Sequence, residues 1–112
     1  MKIRFLGQSG YVLKSGKTEI IIDPYLSDSV NRVVGRPRLL PIPIDPVAIC
    51  CDAVICTHDH LDHLDPDTVV QVPKDQFYIT TREGKTHLKE LGRTNMIHGG
   101  TVLDFNTEYE VR

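Results

Sequence analysis

No stretch of this 112-residue chain approaches the roughly 20 consecutive apolar residues that a membrane-spanning helix requires, and the opening "MKIRFLGQSG" turns polar too early for a secretory signal. No charge excess stands out either. Thirteen basic residues against fifteen acidic ones leave a net charge of -2, which gives nucleic acid or an anionic membrane surface nothing to attract. Cysteine is scarce and odd in number. Cys50, Cys51 and Cys56 include two sequence neighbours, a poor pair for bridging, so a disulfide framework is excluded and reduced thiols in a cytoplasmic setting are expected. Repeats and low-complexity tracts are absent. A chain this short can enclose one core and no more.

What is present is a layered pattern. Lys2 to Leu6 alternates polar and apolar residues, "GQSG" makes a bend, and "YVLKS" runs through Ser15-Gly16-Lys17 into "TEIIID". That order predicts a strand followed by a hairpin. From Pro24 to Pro46 five prolines deny the backbone the donors of a continuous ladder or helix, so a long surface loop is expected, with Val33, Val34, Leu39, Leu40, Ile42 and Ile44 packed against something. "DPVAICC" reads as a short helix with Asp45 as N-cap and Pro46 in its first turn. "DAVICT" reads as a buried strand. Downstream come a strand at Phe77 to Thr80, a helix from Thr81 to Leu91 closed by Gly92, and a short strand in "NMIHG". Strands alternating with helices after an antiparallel opening predict an α/β or α+β layered fold with its site at the carboxyl ends of strands.

At such an end lies "THDHLDHLDP", Thr57 to Pro66, with three histidines and three aspartates among two leucines. Residues two apart on an extended segment point the same way, so His58 and His60 can offer two imidazoles to one ion. Asp62 and His63 follow as the chain turns and suit a second ion. Paired ions about 3.5 to 4 Å apart can hold a hydroxide between them as nucleophile. Imidazole favours zinc and carboxylate accepts manganese, so two divalent ions, Zn or Mn, are expected. Leu61 and Leu64 are read as pegs that hold the turn to the core, and Asp65-Pro66 as the cap and start of a helix. Asp59 is read as a residue that orients an imidazole or faces solvent. Cys56 shares a strand face with His58 and is read as buried filler, with a thiolate ligand as the alternative. His87 and His98 are read as packing or surface residues. Arg32, Arg36 and Arg38 in the long loop could hold a phosphate or carboxylate in bidentate fashion.

"THDHLDH" resembles the metal-binding signature of the metallo-β-lactamase superfamily. "FLGQSGYVLKSG", "IIIDP" and "RLLPIPIDPVAICCDAVICTHDHLDHLD" are similar, in order and spacing, to its L-ascorbate-6-phosphate lactonase branch. The resemblance covers most of residues 3 to 66. It implies an αββα sandwich with a dinuclear site at its edge and hydrolysis of a lactone, amide or ester. In that pattern His58 and His60 match ligands of the first metal, and Asp62 and His63 match ligands of the second, Asp62 being also the catalytic candidate. Asp23 in "IIIDP" matches a buried aspartate that braces the metal loop, and Arg38 matches the position best suited to bind substrate. The family's remaining ligands, another histidine, a bridging aspartate and a last histidine, find no match before "NTEYEVR", where Tyr109 and Val111 still alternate as in a strand. The expectation is therefore that residues 1 to 112 are the N-terminal half of one such domain, truncated before those ligands, with an uncovered sheet face through which copies associate. The function expected is a metal-dependent, lactonase-like hydrolase of a small anionic substrate when complete, with the isolated chain inactive. Alternatives are a nuclease of the same fold and a non-catalytic metal-binding fragment.

Overall fold

The computed structural model describes residues 1–94 and 96–98, with the side chains of Ile97 and His98 left aside. The strand expected around Tyr109 and Val111 lies outside the described residues. Among the described residues six strands form one sheet in sequence order: β1 (Lys2–Gly7), β2 (Gly10–Ser15), β3 (Thr18–Ile22), β4 (Ala53–Cys56), β5 (Tyr78–Thr80) and β6 (Met96–His98). The first three pair antiparallel and β3 to β6 pair parallel. Three helices, α1 (Ser29–Val34), α2 (Pro66–Val69) and α3 (Arg82–Glu90), lie in the connections of the parallel half. The fold is thus mixed and layered, as the alternation of strand and helix patterns predicts.

Register decides what each face buries. Val12, Ile21, Val54 and Tyr78 stand opposite one another across four strands. They belong to or pack against a core that includes Leu6, Leu26, Ile49, Cys56, Leu64, Val69, Val72 and Leu88. The other face carries Ile3 and Leu13, and Phe5, Tyr11, Ile22, Ile55 and Ile79. Among the described residues this second face is open at its antiparallel edge, where Ile3, Phe5 and Tyr11 are exposed and the Phe5 and Tyr11 rings meet at 5.3 Å.

The segment from Pro24 to Pro46 departs from expectation in three ways. Its first part is deeply buried, with Tyr25 and Leu26 in the core. It then forms α1, which a wholly irregular loop does not predict; the five prolines all lie outside Tyr25 to Arg36, and Gly35 closes the helix in the left-handed region at φ 71°. The apolar residues expected to pack are instead exposed, Leu39 most of all at 96%, with only Ile44 against the core. The helix expected in "DPVAICC" is corrected too. It is one 3-10 turn, Pro46–Ala48, because Gln76 holds Cys51 extended, accepting from its N–H at 3.0 Å and donating to its carbonyl at 3.0 Å.

The loop is fastened to α2 by a buried carboxylate. Asp65 caps that helix by accepting from the Asp67 N–H at 3.2 Å. It also accepts from the Ser27 hydroxyl at 2.5 Å, the Ser29 hydroxyl at 2.7 Å and the Thr68 hydroxyl. Thr68 in turn accepts from the Leu26 N–H at 2.9 Å. At the far end of α2 the buried Arg93 donates to the carbonyls of Val69, Val72 and Pro73, the last of which also accepts from the Gln76 N–H at 3.1 Å. Removing the Asp65 carboxylate orphans three hydroxyls, two of them in buried residues of the loop. Asp65→Ala should therefore cost about 3 kcal/mol of folding free energy, read as a lower urea midpoint with little change in slope.

Candidate metal centre

The parallel register of β3 and β4 ends with Ile22 beside Ile55, which places Asp23 next to the end of β4. The Asp23 N–H extends the ladder to the Ile55 carbonyl at 2.8 Å. Here the backbone bends sharply, with Asp23 at φ 46°, a conformation that Asp tolerates better than bulkier side chains. The bend is possible because Gly10 stands opposite; a Cβ there would come within 3.0 Å of the Asp23 carbonyl oxygen and 3.2 Å of Leu6 Cβ.

The bend aims a buried carboxylate, 4% exposed for the whole residue, at the histidine turn. Asp23 Oδ1 accepts from the Thr57 N–H at 2.7 Å, and Oδ2 accepts from the Thr57 hydroxyl at 2.6 Å. His63 Nδ1 also reaches Oδ2, at 2.8 Å. An ionised carboxylate has no proton to give, so Nδ1 of His63 is the donor and Nε2 keeps the free lone pair. Thr57 extends the same logic. Its single hydroxyl proton is committed to Asp23, so the contact of 2.9 Å between Thr57 Oγ1 and His58 Nδ1 must have the imidazole donating. One carboxylate therefore sets the tautomer of two histidines, directly for His63 and through Thr57 for His58. In both rings the lone pair is left on Nε2, the atom an imidazole in this tautomer offers to a cation.

The turn gathers the rings. His58 and His63 centroids lie 3.9 Å apart and His58 and His60 centroids 4.5 Å apart. The His60 carbonyl accepts from the N–H groups of His63 and Leu64 at 2.9 and 2.8 Å, closing the turn. Leu64 is buried in the core, whereas Leu61 is only half-buried. Asp62 Oδ1 stands 3.6 Å from His63 Nε2, and the Ser9 hydroxyl stands 3.5 Å from the same nitrogen. In donor chemistry the set fits a divalent cation, since it offers three imidazoles and one carboxylate, with the second ring nitrogens of His58 and His63 tied to oxygen. In position it is not closed. Among the described residues no three His, Cys, Asp or Glu side chains converge on one ion-sized point.

The other candidates sort by contact. Asp59 accepts from an imidazole outside the turn, that of His87 on α3, at 3.1 Å. Cys56 is buried at 2%, and burial, reinforced by the negative charge of Asp23, pushes its thiol up, which keeps it protonated and apolar at neutral pH. Arg38 is half-buried; it donates to the carbonyls of Tyr25, of Leu40 at 3.0 Å and of Leu6 at 3.4 Å, and lies over the Tyr25 ring. Thr57, Ser9 and Gly10 carry no ligand-type signal in the sequence. The one pointer to Thr57 is its place between the last strand residue and the first histidine.

A family model for the beta-lactamase superfamily domain matches residues 2–112, and the chain belongs to that superfamily. It is 30% identical over 103 residues to a metal-dependent hydrolase of Thermus thermophilus, a match covering 90% of this chain and 41% of the relative. An uncharacterised protein of Mycobacterium tuberculosis is 41% identical over 73 residues, 62% of this chain and 20% of its own length. The crystal structure of isothiocyanate hydrolase from Delia radicum gut bacteria superposes with a TM-score of 0.71 at 26% identity, over 88% of this chain and 41% of that one. A possible metal-dependent hydrolase from Veillonella parvula shares the fold at a TM-score of 0.69 and 23% identity. The architecture is that of part of a metallo-β-lactamase fold. The chain spans between 20% and 42% of the length of these relatives and structures. No helix among the described residues is long and apolar enough to cross a membrane.

Thr57 supplies a direct test of the tautomer argument. Thr57→Val removes the hydroxyl between Asp23 and His58 and should weaken divalent metal binding by about tenfold, while Thr57→Ser restores it. Equal affinities for the three proteins in a competition titration with a chromogenic chelator would show that the hydroxyl plays no such part.

Proposed function

We propose that this chain carries the first metal-binding motif of a metal-dependent hydrolase that opens a small anionic lactone or ester. The observation that carries the reading is the buried Asp23 carboxylate holding the turn of His58, His60, Asp62 and His63 with two imidazoles fixed for ligation. In this reading His58 and His60 hold one divalent ion and Asp62 and His63 a second, Zn or Mn. Such ions supply Lewis acidity and acidify a coordinated water. The remaining work falls to the chain's own groups. His60 and Asp62 border a cavity of about 840 Å³ whose opposite wall is α1 and the loop after it, a volume suited to a small molecule. Asp62 is the only carboxylate among its described lining residues, and we assign it proton handling at the reacting bond as well as ligation. Arg38 adds positive charge to that wall and holds the loop in place. Asp59 steadies the turn from its far side through His87.

The reading carries further expectations. The substrate is a small molecule, with neither nucleic acid nor membrane as partner, the compartment is the reducing cytoplasm, and the open sheet face with Ile3, Phe5 and Tyr11 is where a covering element or a second copy associates.

Two measurements test the core of the proposal. After dialysis against Zn or Mn, elemental analysis should find metal on the 112-residue chain and none on the His58→Ala, His60→Ala double variant; equal uptake by both discards the ligand assignment. The four candidate donors among the described residues do not complete two sites, so the 112 residues alone should leave a panel of phosphorylated lactones intact. A chain extended to the length of the relatives should hydrolyse members of the panel and lose that activity on chelation. Steady turnover by the 112-residue chain would refute the incomplete-site argument.

A further inference from the structure

The long loop brings three arginines near the histidine turn, and the structure gives them three different fates. Arg32 is paired with Asp67 on α2 at 2.9 Å. Arg38 has its guanidinium committed to three backbone carbonyls. Arg36 lines the same cavity as His60 and Asp62 and, among the described residues, makes no hydrogen bond or ion pair. Its backbone is nevertheless well fixed. Gly35 before it sits in the left-handed region at φ 71°, and Pro37 after it restricts Arg36 itself to extended conformations.

We propose that Arg36 is the residue that recognises the substrate's negative charge, and that the substrate is an organic anion with its charge at one end, on a carboxylate or phosphate, and a small apolar body. This rests on the hydrolase reading above, whose site it specifies further. A guanidinium without a carboxylate partner keeps all five donors for an incoming carboxylate or phosphate and can grip it in bidentate fashion. Beside it the cavity wall is apolar: Val30, Val34, Pro37 and Leu39 line it, with Val34 at 59% and Leu39 at 96% exposure. Large aliphatic groups left in water next to a free cation, on a wall facing His60 and Asp62, match a ligand that is charged at one end and greasy along its length. The anionic end lies at Arg36 and the bond to be broken lies at the histidine turn. Arg38 shapes this wall as a positioning residue, and Arg32 takes no part.

The probe is 4-phenylbutyrate, with 4-phenylbutanol as its neutral counterpart, titrated by calorimetry into the 112-residue chain in chelator and again after metal loading. Arg36→Met should weaken 4-phenylbutyrate about tenfold in both states, close to 1.4 kcal/mol, and leave 4-phenylbutanol unchanged. Arg36→Lys should recover part of the loss, added salt should shrink the difference, and Arg32→Met should have no effect. Unchanged 4-phenylbutyrate affinity in Arg36→Met, an equal loss in Arg32→Met, or no binding to the parent chain each overturns the proposal. The measurement in chelator is independent of the metal. A chain that shows the Arg36 contrast yet takes up no ion defeats the hydrolase reading alone, and a chain that takes up ions without the contrast defeats this inference alone.

Discussion

The Asp23 carboxylate is the constraint on which the site depends. It is buried, it is held at a left-handed backbone bend, and it has acceptors enough for three donors from the turn that follows β4. Each feature enables the next. The parallel pairing of β3 with β4 delivers Asp23 to the end of β4, the absence of a side chain at Gly10 lets the backbone approach, and the carboxylate then replaces the ladder hydrogen bonds that stop at Cys56. A buried charge is tolerated only where donors surround it. One of these donors belongs to a candidate ligand, His63, and another, the Thr57 hydroxyl, accepts from the second candidate, His58. Fold and site therefore share one interaction at this point.

Asp65 plays the parallel structural part on the other side of the turn. It accepts from hydroxyls of the 24–29 segment and caps α2, so the histidine turn runs between two buried carboxylates, Asp23 before it in contact and Asp65 after it in sequence. Leu64 anchors the turn in the core between them. Between these fixed points the side chains of His58, His60, Asp62 and His63 remain half-buried or exposed. Rigid ends and an accessible middle are what a centre needs if it must keep its geometry and still admit an ion and a substrate.

Much of this is legible in the sequence. Alternation marks β1 and β2, Gly16 marks the hairpin, and Thr81 and Gly92 bracket α3 within a residue or two. The spacing of "HDHLDH" singles out the turn because imidazole and carboxylate together are unusual in a solvated bend. Three things are hidden, each for a physical reason. Prolines at both ends of the 24–46 segment mask α1, although none lies within it. Asp45 and Pro46 signal a helix start but cannot reveal that Gln76, 25 residues after Cys51, will hold the chain extended just downstream. Thr57 is an ordinary strand-end residue until the fold brings Asp23 to it, since a hydroxyl's role in choosing a tautomer is a property of its neighbours in space.

The arginines show the same limit from the other side. By residue type Arg32, Arg36 and Arg38 are equivalent anion binders, and sequence distance favours Arg38. Three-dimensional pairing separates them, because a guanidinium that already serves three carbonyls has few donors left, and one beside Asp67 already has its charge balanced. Removing Arg38 would loosen the loop from Leu6 and Leu40 and so disturb the cavity wall whether or not it ever touches a ligand. A loss of substrate affinity in an Arg38 variant would therefore not distinguish binding from positioning. Arg36, which holds nothing in place, is where the two effects come apart, and its charge can be removed with the wall left standing.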